Sequence, residues 1–279
     1  MPAYRFCRTD DVPLLVDAYN ACWMPHFGAD HALSIDAFKR DVRELNLWPS
    51  SCMVAMADGE PVGVLLAAKR EDGNFIHRIA VKPGHERRGH SGHLIDSLRR
   101  KIAILGPPRL LVEIPAEWAA ARGFFERCGF AAEARYADFI MDAPRAAPEP
   151  STDLIGRATF AELADTVGLA TASRRSWERS PQTLKNRGDR ITGLAIASDA
   201  QVEAYLLDHA RPPDREIVAL GGARRELLPL LVAARAADVA GALRVPRVGE
   251  DEIDFATLTA LGFRAEREYI GYAADFSDL

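Results

Sequence analysis

The chain has 279 residues, enough for one large domain or for two domains of ordinary size that each bury a core, and we expect two. Its residues are 48% hydrophobic and 27% charged, with both signs interspersed, which excludes a disordered or collagen-like protein. The net charge of -5 gives no electrostatic reason to expect nucleic acid or a membrane as a partner.

The N-terminal residues and the cysteines favour a cytoplasmic location. The opening MPAYRFCRTDD lacks the apolar core of a signal peptide, and no run of about 18 apolar residues occurs further along the chain. The four cysteines are widely spaced and include no CxxC pair. We therefore expect reduced thiols rather than a disulfide framework, and no metal site.

The N-terminal half begins with alternating strand and helix patterns. YRFCR predicts a strand, and DDVPLLVDAYNAC predicts a helix with apolar residues at helical spacing. Ser34 is placed to cap a second helix, SIDAFKRDVREL. The stretch CMVAMADGEPVGVLLAAKREDGNFIHRIAV holds three β-rich runs separated by Asp-Gly turns, which predicts an antiparallel meander.

A third helix pattern begins inside the next segment, GHERRGHSGHLI. Its apolar residues share one predicted helix face and are Leu94, Ile95, Leu98, Ile102 and Leu105. RLLVEI then predicts a strand, EWAAARGFFERCGF a helix ended by a glycine, and EARYADFIMDA a final strand. The proline-rich stretch DAPRAAPEPSTD follows, and it has the composition of an exposed linker.

Two landmarks of the first half recur in the second. LAIASDAQVEAYLL at 194–207 resembles VAMADGEPVGVLL at 54–66, and LGFRAEREY at 261–269 resembles CGFAAEARY at 128–136. The interval between the landmarks is shorter in the second copy. Chance similarity of Gly-Phe after a helix is the alternative, but two landmarks in the same order favour an internal duplication. We predict domains at 1–143 and 153–279, joined by a linker at 144–152.

The segment HRIAVKPGHERRGHSGHLI, at 77–95, carries the clearest chemical signal. A strand that enters a helix through a glycine-bearing loop presents unpaired backbone N–H groups and the positive end of the helix dipole to an anion. Gly89 and Gly92 allow a phosphate to approach the backbone, and Arg87 and Arg88 can pair with its oxygens. A solvated basic turn is the alternative interpretation.

Two motifs in this half resemble the GNAT superfamily of acetyl-CoA-dependent N-acetyltransferases. IAVKP at 79–83, followed by ERRGHSGHLI, is similar to the V-x-P and Q/R-x-x-G-x-G/A signature of that family. GFFERCGF at 123–130 is similar to the aromatic pair, glutamate and Gly-Phe that end its next helix. The resemblance covers residues 1–141.

The resemblance and the duplication together imply a fold class of α/β, of the α+β type. We expect two tandem GNAT-like domains, each a mixed, mainly antiparallel sheet flanked by helices. In the second domain, Gly221-Gly222 are the only glycines in the loop before the corresponding helix. The V-x-P and Gly-x-Gly spacing is absent there. We therefore expect 153–279 to be a degenerate copy.

In the family, the fourth and fifth strands splay apart to admit coenzyme A. The resemblance implies that the backbone of the fourth strand binds the pantetheine arm and the acetyl carbonyl, through Ile79, Ala80 and Val81. It implies that the following loop binds the pyrophosphate, through Arg87, Arg88, Gly89, His90, Ser91 and Gly92. Two residues depart from the signature, because Glu86 replaces Gln or Arg and Ser91 replaces Gly or Ala.

Catalysis needs a base for the attacking amine and a proton for the leaving thiolate. His77 lies where many family members carry a glutamate and some a histidine, and a free histidine has a pKa of about 6.5, suited to a base near neutrality. Glu113 is the second candidate, acting through water. Each could instead be a structural strand residue. The family's proton-donating tyrosine is replaced by Phe125, so water, Tyr136 or departure as thiolate would have to serve.

We expect the acceptor pocket to be built from the first two helices and the segment that connects them. Trp23, His26 and Phe27 would give it an aromatic lining with a polar handle, although the same residues could merely close the core. We therefore predict transfer of acetyl from acetyl-CoA to the amine of a small or amino-acid-like acceptor by direct attack, in a monomer or homodimer. A non-catalytic acyl-CoA-binding or regulatory protein of GNAT architecture is the alternative.

Overall fold

The computed structural model describes residues 2–142, 154–164 and 175–277. The chain forms two compact units. Unit 1 comprises 1–114, 118–133 and 271–279, and unit 2 comprises 115–117 and 134–270. The predicted linker, 144–152, lies outside the described residues.

Unit 1 is built mainly from the N-terminal half. Its elements, in chain order, are β1 (Ala3–Phe6), α1 (Val12–Phe27), α2 (Ile35–Leu45), β2 (Met53–Ala57), β3 (Glu60–Lys69), β4 (Asn74–Val81), α3 (His90–Leu105), β5 (Arg109–Pro115) and α4 (Ala119–Arg127). Strands β1 to β4 are antiparallel neighbours in sequence order, and β5 is parallel to β4. This is the predicted meander, closed by a parallel crossover through α3.

Unit 2 repeats this order. Its elements are β6 (Ala131–Met141), β7 (Gly156–Thr159), α5 (Phe160–Ala164), α6 (Pro181–Arg187), β8 (Ile191–Ala197), β9 (Val202–Arg211), β10 (Asp214–Gly221), α7 (Leu228–Ala237), β11 (Leu243–Gly249), α8 (Phe255–Ala260) and the first half of β12 (Arg264–Asp275). The strand order β6, β11, β10, β9, β8, β7 pairs β10 with β11 in parallel and the rest antiparallel. Both units are therefore mixed α/β structures with mainly antiparallel sheets, as predicted.

The correspondence of the two units supports the predicted duplication. Strands β2, β3, β4 and β5 correspond to β8, β9, β10 and β11, with α3 matched by α7. Helix α3 has 16 residues and α7 has 10, so much of the predicted shortening lies in this helix.

The units divide the chain differently from the predicted boundaries at 143 and 153. Strand β6 belongs to unit 2 from Ala134 onward and pairs there with β11. The residues from Gly271 onward belong to unit 1, where β12 lies beside β5. An uncovered strand edge is a liability, and in each unit the last strand of the other copy covers it.

Local signals explain the helix ends. The Ser34 hydroxyl accepts a hydrogen bond from the Ala37 N–H at 3.1 Å, which confirms the predicted cap of α2. Helix α1 continues past its predicted end to Phe27, although it contains Pro25, and Gly28 ends it by donating to the Met24 carbonyl at 2.8 Å. The predicted apolar face of α3 is buried except for Leu105, which is exposed. None of the helices within the described ranges has both the length and the apolar composition required to cross a lipid bilayer.

Candidate active site

Strands β4 and β5 of unit 1 pair only at their beginnings. The parallel register joins Asn74 to Leu110 and Phe75 to Leu111, and no further pair forms although β4 continues to Val81 and β5 to Pro115. The two strands thus separate after their first residues and leave backbone groups of β4 without a strand partner on that side. The widening interval between them is called the cleft below.

The backbone of β4 decides which groups face the cleft. The Lys82 N–H donates to the Val62 carbonyl of β3 at 3.0 Å, and Ala80 pairs with Val64. Because backbone groups alternate sides in an antiparallel strand, those of Ile79 and Val81 are directed away from β3. Three residues of β4 were predicted to bind the cofactor through their backbone. The backbone groups of Ala80 bond to β3 instead, so only those of Ile79 and Val81 face the cleft.

Helix α1 reaches the end of this strand. His26 donates from Nε2 to the Val81 carbonyl at 2.8 Å, which fixes the tautomer of the imidazole. The side chain of His26, predicted to line the acceptor pocket, thus contacts the same residue that was predicted to bind the cofactor.

The loop at 82–89 turns the chain from β4 into α3. Its backbone has positive φ at Gly84, Arg87 and Gly89, and Gly89 is the N-cap of the helix at φ +85°. The His93 N–H donates to the Gly89 carbonyl at 3.0 Å, so the N–H groups of residues 90–92 precede the first hydrogen bond of the helix. These three donors and the helix dipole together favour an anion.

The glycines leave room for such an anion. A Cβ atom built on Gly89 or Gly92 would meet no atom within 4 Å. Gly92 lies in the first turn of α3 without a positive φ, so the backbone alone does not require glycine there. A side chain added at either position would therefore enter open space instead of colliding with the protein.

The arginine side chains of the loop are free to pair with an anion, since the carboxylate of the loop is bonded elsewhere. Arg87 and Arg88 are exposed, and neither forms an ion pair with any described carboxylate. The Glu86 carboxylate accepts from the Gly84 N–H at 2.9 Å, and this hydrogen bond is the main reason that its pKa is lowered. Glu86, which departs from the family signature, is thereby tied to the start of the loop.

His90 contributes differently from its neighbours. Its side chain is buried, its Nδ1 lies 2.7 Å from the Tyr4 hydroxyl of β1, and burial lowers its pKa. The imidazole is therefore part of the packing between α3 and β1. His90 was predicted to bind the cofactor. The group that it presents at the helix terminus is its backbone N–H, since its imidazole is bonded to Tyr4.

His77 occupies an irregular position in β4. The ladder pairs Leu66 with Arg78 and Ala67 with Ile76, so His77 is the extra residue of a β-bulge. Its side chain is half-buried. Bulges re-aim side chains and are common at active sites. This irregularity was not predicted, since no turn residue accompanies it in the sequence.

Glu113 lies on β5 at the position that matches His77 if the register is continued into the cleft. It is half-buried and interacts with Arg70, whose pKa is lowered to about 10 by burial while Asp72 and Glu113 act in the opposite direction. Phe125, at the position of the family's tyrosine, has no hydroxyl proton to donate. Its ring is buried and packs edge-on against Phe130.

Four aromatic rings form a row that begins on α1 and ends just after β5. Tyr19 and Trp23 are stacked at 5.7 Å between centroids, Trp23 and Phe27 are 4.3 Å apart, and Phe27 stacks on Trp118 at 5.1 Å. Trp23 and Phe27 were predicted in the connection between helices, but they lie in α1 itself. We call these four residues the aromatic row.

Two members of this region were not predicted. Trp118, the N-cap residue of α4, joins the row from a distant part of the sequence, and nothing in its local pattern indicates this. The guanidinium carbon of Arg78 lies 5.3 Å from the Trp23 ring centroid. Its position directly after His77 was a signal that could have drawn attention to it.

The equivalent loop of unit 2 is closed. A Cβ atom on Gly222 would lie 2.2 Å from the Glu203 carbonyl oxygen, and the Arg224 N–H donates to that same oxygen at 2.9 Å. The arginine side chains are paired, Arg224 with Glu226 at 2.9 Å and Arg225 with Asp254 at 3.7 Å. This loop packs on β9 and leaves no cradle for an anion.

The interval between β10 and β11 is also filled. Arg179 is 1% exposed and donates from Nη1 to the carbonyls of Ile217, on β10, and Pro246, on β11, at 2.7 and 3.3 Å. Its Nε donates to the buried Glu252 carboxylate at 3.0 Å. A side chain of unit 2 itself therefore bridges the strands that in unit 1 stand apart.

Comparison with known proteins agrees with this geometry. Residues 13–130 match the model of the acetyltransferase (GNAT) family. This part of the chain belongs to the GNAT family. Members of this family are acyltransferases that bind acyl-CoA and an acceptor. No cluster of three or more potential metal ligands occurs among the side chains that the structure describes.

Solved GNAT structures share the fold over the whole chain. A GCN5-related N-acetyltransferase of Sphaerobacter thermophilus has a TM-score of 0.69 at 15% identity, covering 99% of this chain and 96% of its own. A tandem GNAT protein from the clavulanic acid biosynthesis pathway has a TM-score of 0.64 at 16% identity, covering 99% of both chains. A GCN5-related N-acetyltransferase of Anabaena variabilis has a TM-score of 0.62 at 12% identity, covering 99% of this chain and 73% of its own. The tandem GNAT architecture is thus shared by this protein.

Proposed function

We propose that the protein is an acetyl-CoA-dependent N-acetyltransferase that acetylates the amine of a small or amino-acid-like acceptor by direct attack. The observation that carries the proposal is the combination, in unit 1, of a cleft between β4 and β5 with a glycine-bearing loop and a free helix N-terminus at its end. Coenzyme A has both an extended amide-containing arm and a pyrophosphate, and each part of this site suits one of them.

The chain would hold the cofactor by backbone and arginine contacts. Ile79 and Val81 offer backbone amide groups along the cleft. The pantetheine arm would pair with these groups as a neighbouring β-strand would. The N–H groups of residues 90–92 and the side chains of Arg87 and Arg88 would bind the pyrophosphate. Acetyl-CoA supplies the activated acyl group.

His77 is our first candidate for the base. The acceptor amine gives its proton to the imidazole as the new N–C bond forms at the acetyl carbonyl. The C–S bond then breaks, and coenzyme A leaves as the thiolate or takes a proton from water, since Phe125 has none to donate. Glu113, beside Arg70, is the second candidate and would act through a water molecule.

Unit 2 would serve as a non-binding partner of the catalytic unit. Its loop is packed against β9, and Arg179 fills the interval between its parallel strands. We accordingly propose one acetyl-CoA site per chain. We also propose a cytoplasmic enzyme without nucleic-acid or membrane partners, acting as a monomer or homodimer.

Calorimetric titration with acetyl-CoA tests the proposal first. We expect binding at one site per chain, and two sites would contradict the assignment of unit 2. A screen of amines that follows release of free thiol then tests catalysis. Turnover with at least one amine above the rate of hydrolysis is expected, whereas binding with only hydrolysis across all amines would favour a non-catalytic acyl-CoA-binding protein.

A further inference from the structure

We infer that the acceptor carries an aromatic ring and a carboxylate, with the ring held against the aromatic row and the carboxylate bound by Arg78. This inference rests on the proposed function, because it names the acceptor class of the same site. Two independent features of unit 1 support it, the exposure of the row and the environment of the guanidinium.

The aromatic row is a continuous series of ring contacts that the core covers only in part. Tyr19, at its inner end, is buried, whereas Trp23, Phe27 and Trp118 are each only partly buried. Stacked rings with an open face favour a flat apolar ligand through burial and ring-to-ring contact. A small aliphatic amine would leave most of this surface in water.

The row lies beside the cleft. Its α1 side is tied to the end of β4 by the hydrogen bond from His26 to the Val81 carbonyl at 2.8 Å. Its other side is Trp118, three residues after the end of β5 at Pro115. A ring that rests on the row is therefore next to the diverging strands, where the acetyl group is expected.

Arg78 provides the polar half of the site. It directly follows His77, its guanidinium lies over Trp23, and its Nη1 donates to the His77 carbonyl at 2.6 Å. Its charge also acts on the Tyr19 hydroxyl, whose pKa is raised mainly by burial and lowered in part by Arg78. No ion pair joins Arg78 to any carboxylate in the described part of the chain. A guanidinium with free donors beside a ring matches an aromatic carboxylate.

The charge of Arg78 also discriminates among acceptors. The same charge repels acceptors with a second ammonium group. Anionic aromatic amines are therefore selected over polycationic ones.

Calorimetric titration with two simple probes tests this assignment without relying on turnover. One probe is 3-phenylpropanoate, which has the ring and the carboxylate, and the other is 2-phenylethylamine, which has the ring without the carboxylate. We expect tighter binding of 3-phenylpropanoate. Arg78→Met should weaken that binding roughly tenfold or more, the effect of a lost charge-assisted hydrogen bond, and change 2-phenylethylamine binding little.

Further variants separate the two halves of the site. Trp23→Ala should weaken both probes, and Arg100→Met, which removes an exposed arginine of α3, should weaken neither. If Arg78→Met does not fold, Arg78→Lys keeps the charge but loses the planar fork, and we expect an intermediate loss. Absence of 3-phenylpropanoate binding, or equal binding to the Arg78 variants, would overturn the inference.

Titration of the same preparations with acetyl-CoA keeps the two proposals distinct. Acetyl-CoA binding and thiol release with other amines, but without binding of 3-phenylpropanoate, overturn the acceptor class alone. Absence of acetyl-CoA binding overturns the proposed function, whatever the aromatic probes show.

Discussion

His77 and Val218 hold the same place in the two copies of the fold. Each is the residue that interrupts the ladder of its strand, since β3 pairs Leu66 with Arg78 and β9 pairs Leu207 with Ala219. The bulge is therefore common to both units, while a titratable side chain is present only in unit 1. Val218 is fully buried and has no proton to exchange.

Replacing His77 by alanine should lower kcat by about 10² to 10⁴, the usual range for loss of a general base, without weakening acetyl-CoA binding. The measurement is thiol release at saturating acetyl-CoA, with calorimetry for the cofactor. Val218→Ala is the matched control at the same bulge of unit 2, and its kcat per folded molecule should be unchanged. An unaltered rate in His77→Ala would exclude His77 as the base.

Arg87→Ala and Arg88→Ala should each raise the dissociation constant of acetyl-CoA, by roughly tenfold or more, because a charge-assisted contact to phosphate is lost. The matched pair in unit 2 is Arg224→Ala and Arg225→Ala, whose side chains are already paired with carboxylates. Calorimetry should find no change for that pair. Equal losses in the two units would argue against a cradle confined to unit 1.

Gly92→Leu should weaken acetyl-CoA binding while leaving the melting temperature of the free protein unchanged or slightly raised. The new side chain enters space that holds no protein atom within 4 Å of its Cβ, and leucine favours the helix over glycine by roughly 0.5 to 1 kcal/mol. Thermal unfolding and calorimetry on the same sample measure both effects. Unchanged affinity would show that the pyrophosphate does not occupy this turn.

Glu252→Gln should destabilise the protein by about 3 kcal/mol, since it leaves the buried guanidinium of Arg179 without its counter-charge. The control is Arg135→Met, which breaks the exposed pair with Glu268 and should cost no more than about 1 kcal/mol. Urea unfolding of both variants gives the comparison. Similar costs would mean that the Arg179 pair does not hold β10 and β11 together.

The stability of the protein should fall as the pH drops below about 6.5, the ordinary pKa of histidine, in part because of His90. Burial lowers the pKa of His90, so the unfolded chain binds a proton that the folded chain does not. The stability that the neutral imidazole contributes is fully present above the pKa of His90 in the unfolded chain, and it is lost as the pH falls below that pKa. His90→Gln should reduce the decrease in melting temperature between pH 7.5 and 5.5, and an identical decrease in both proteins would contradict the assignment.

Much of the fold was predictable because local signals and tertiary packing agree. The Ser34 cap, the Asp-Gly turns and the apolar face of α3 each specify an element through neighbouring residues, and the structure contains all of them. The loop around Gly89 was likewise predicted, since a strand, a basic glycine-bearing turn and a helix follow one another directly in the chain.

Other features depend on residues that only tertiary contacts bring together. The aromatic row needs Trp118, far in sequence from α1, and the closure of unit 2 needs Arg179 between two strands that follow it in the chain. The pairing of β6, from the first copy of the repeat, with β11 of the second copy is likewise a contact between distant residues. The sequence by itself determined the elements, the repeat and the glycine-bearing loop before α3, because these arise from near neighbours. The tertiary structure alone decided which copy keeps an open cleft, because packing of distant side chains fills one interval and leaves the other free.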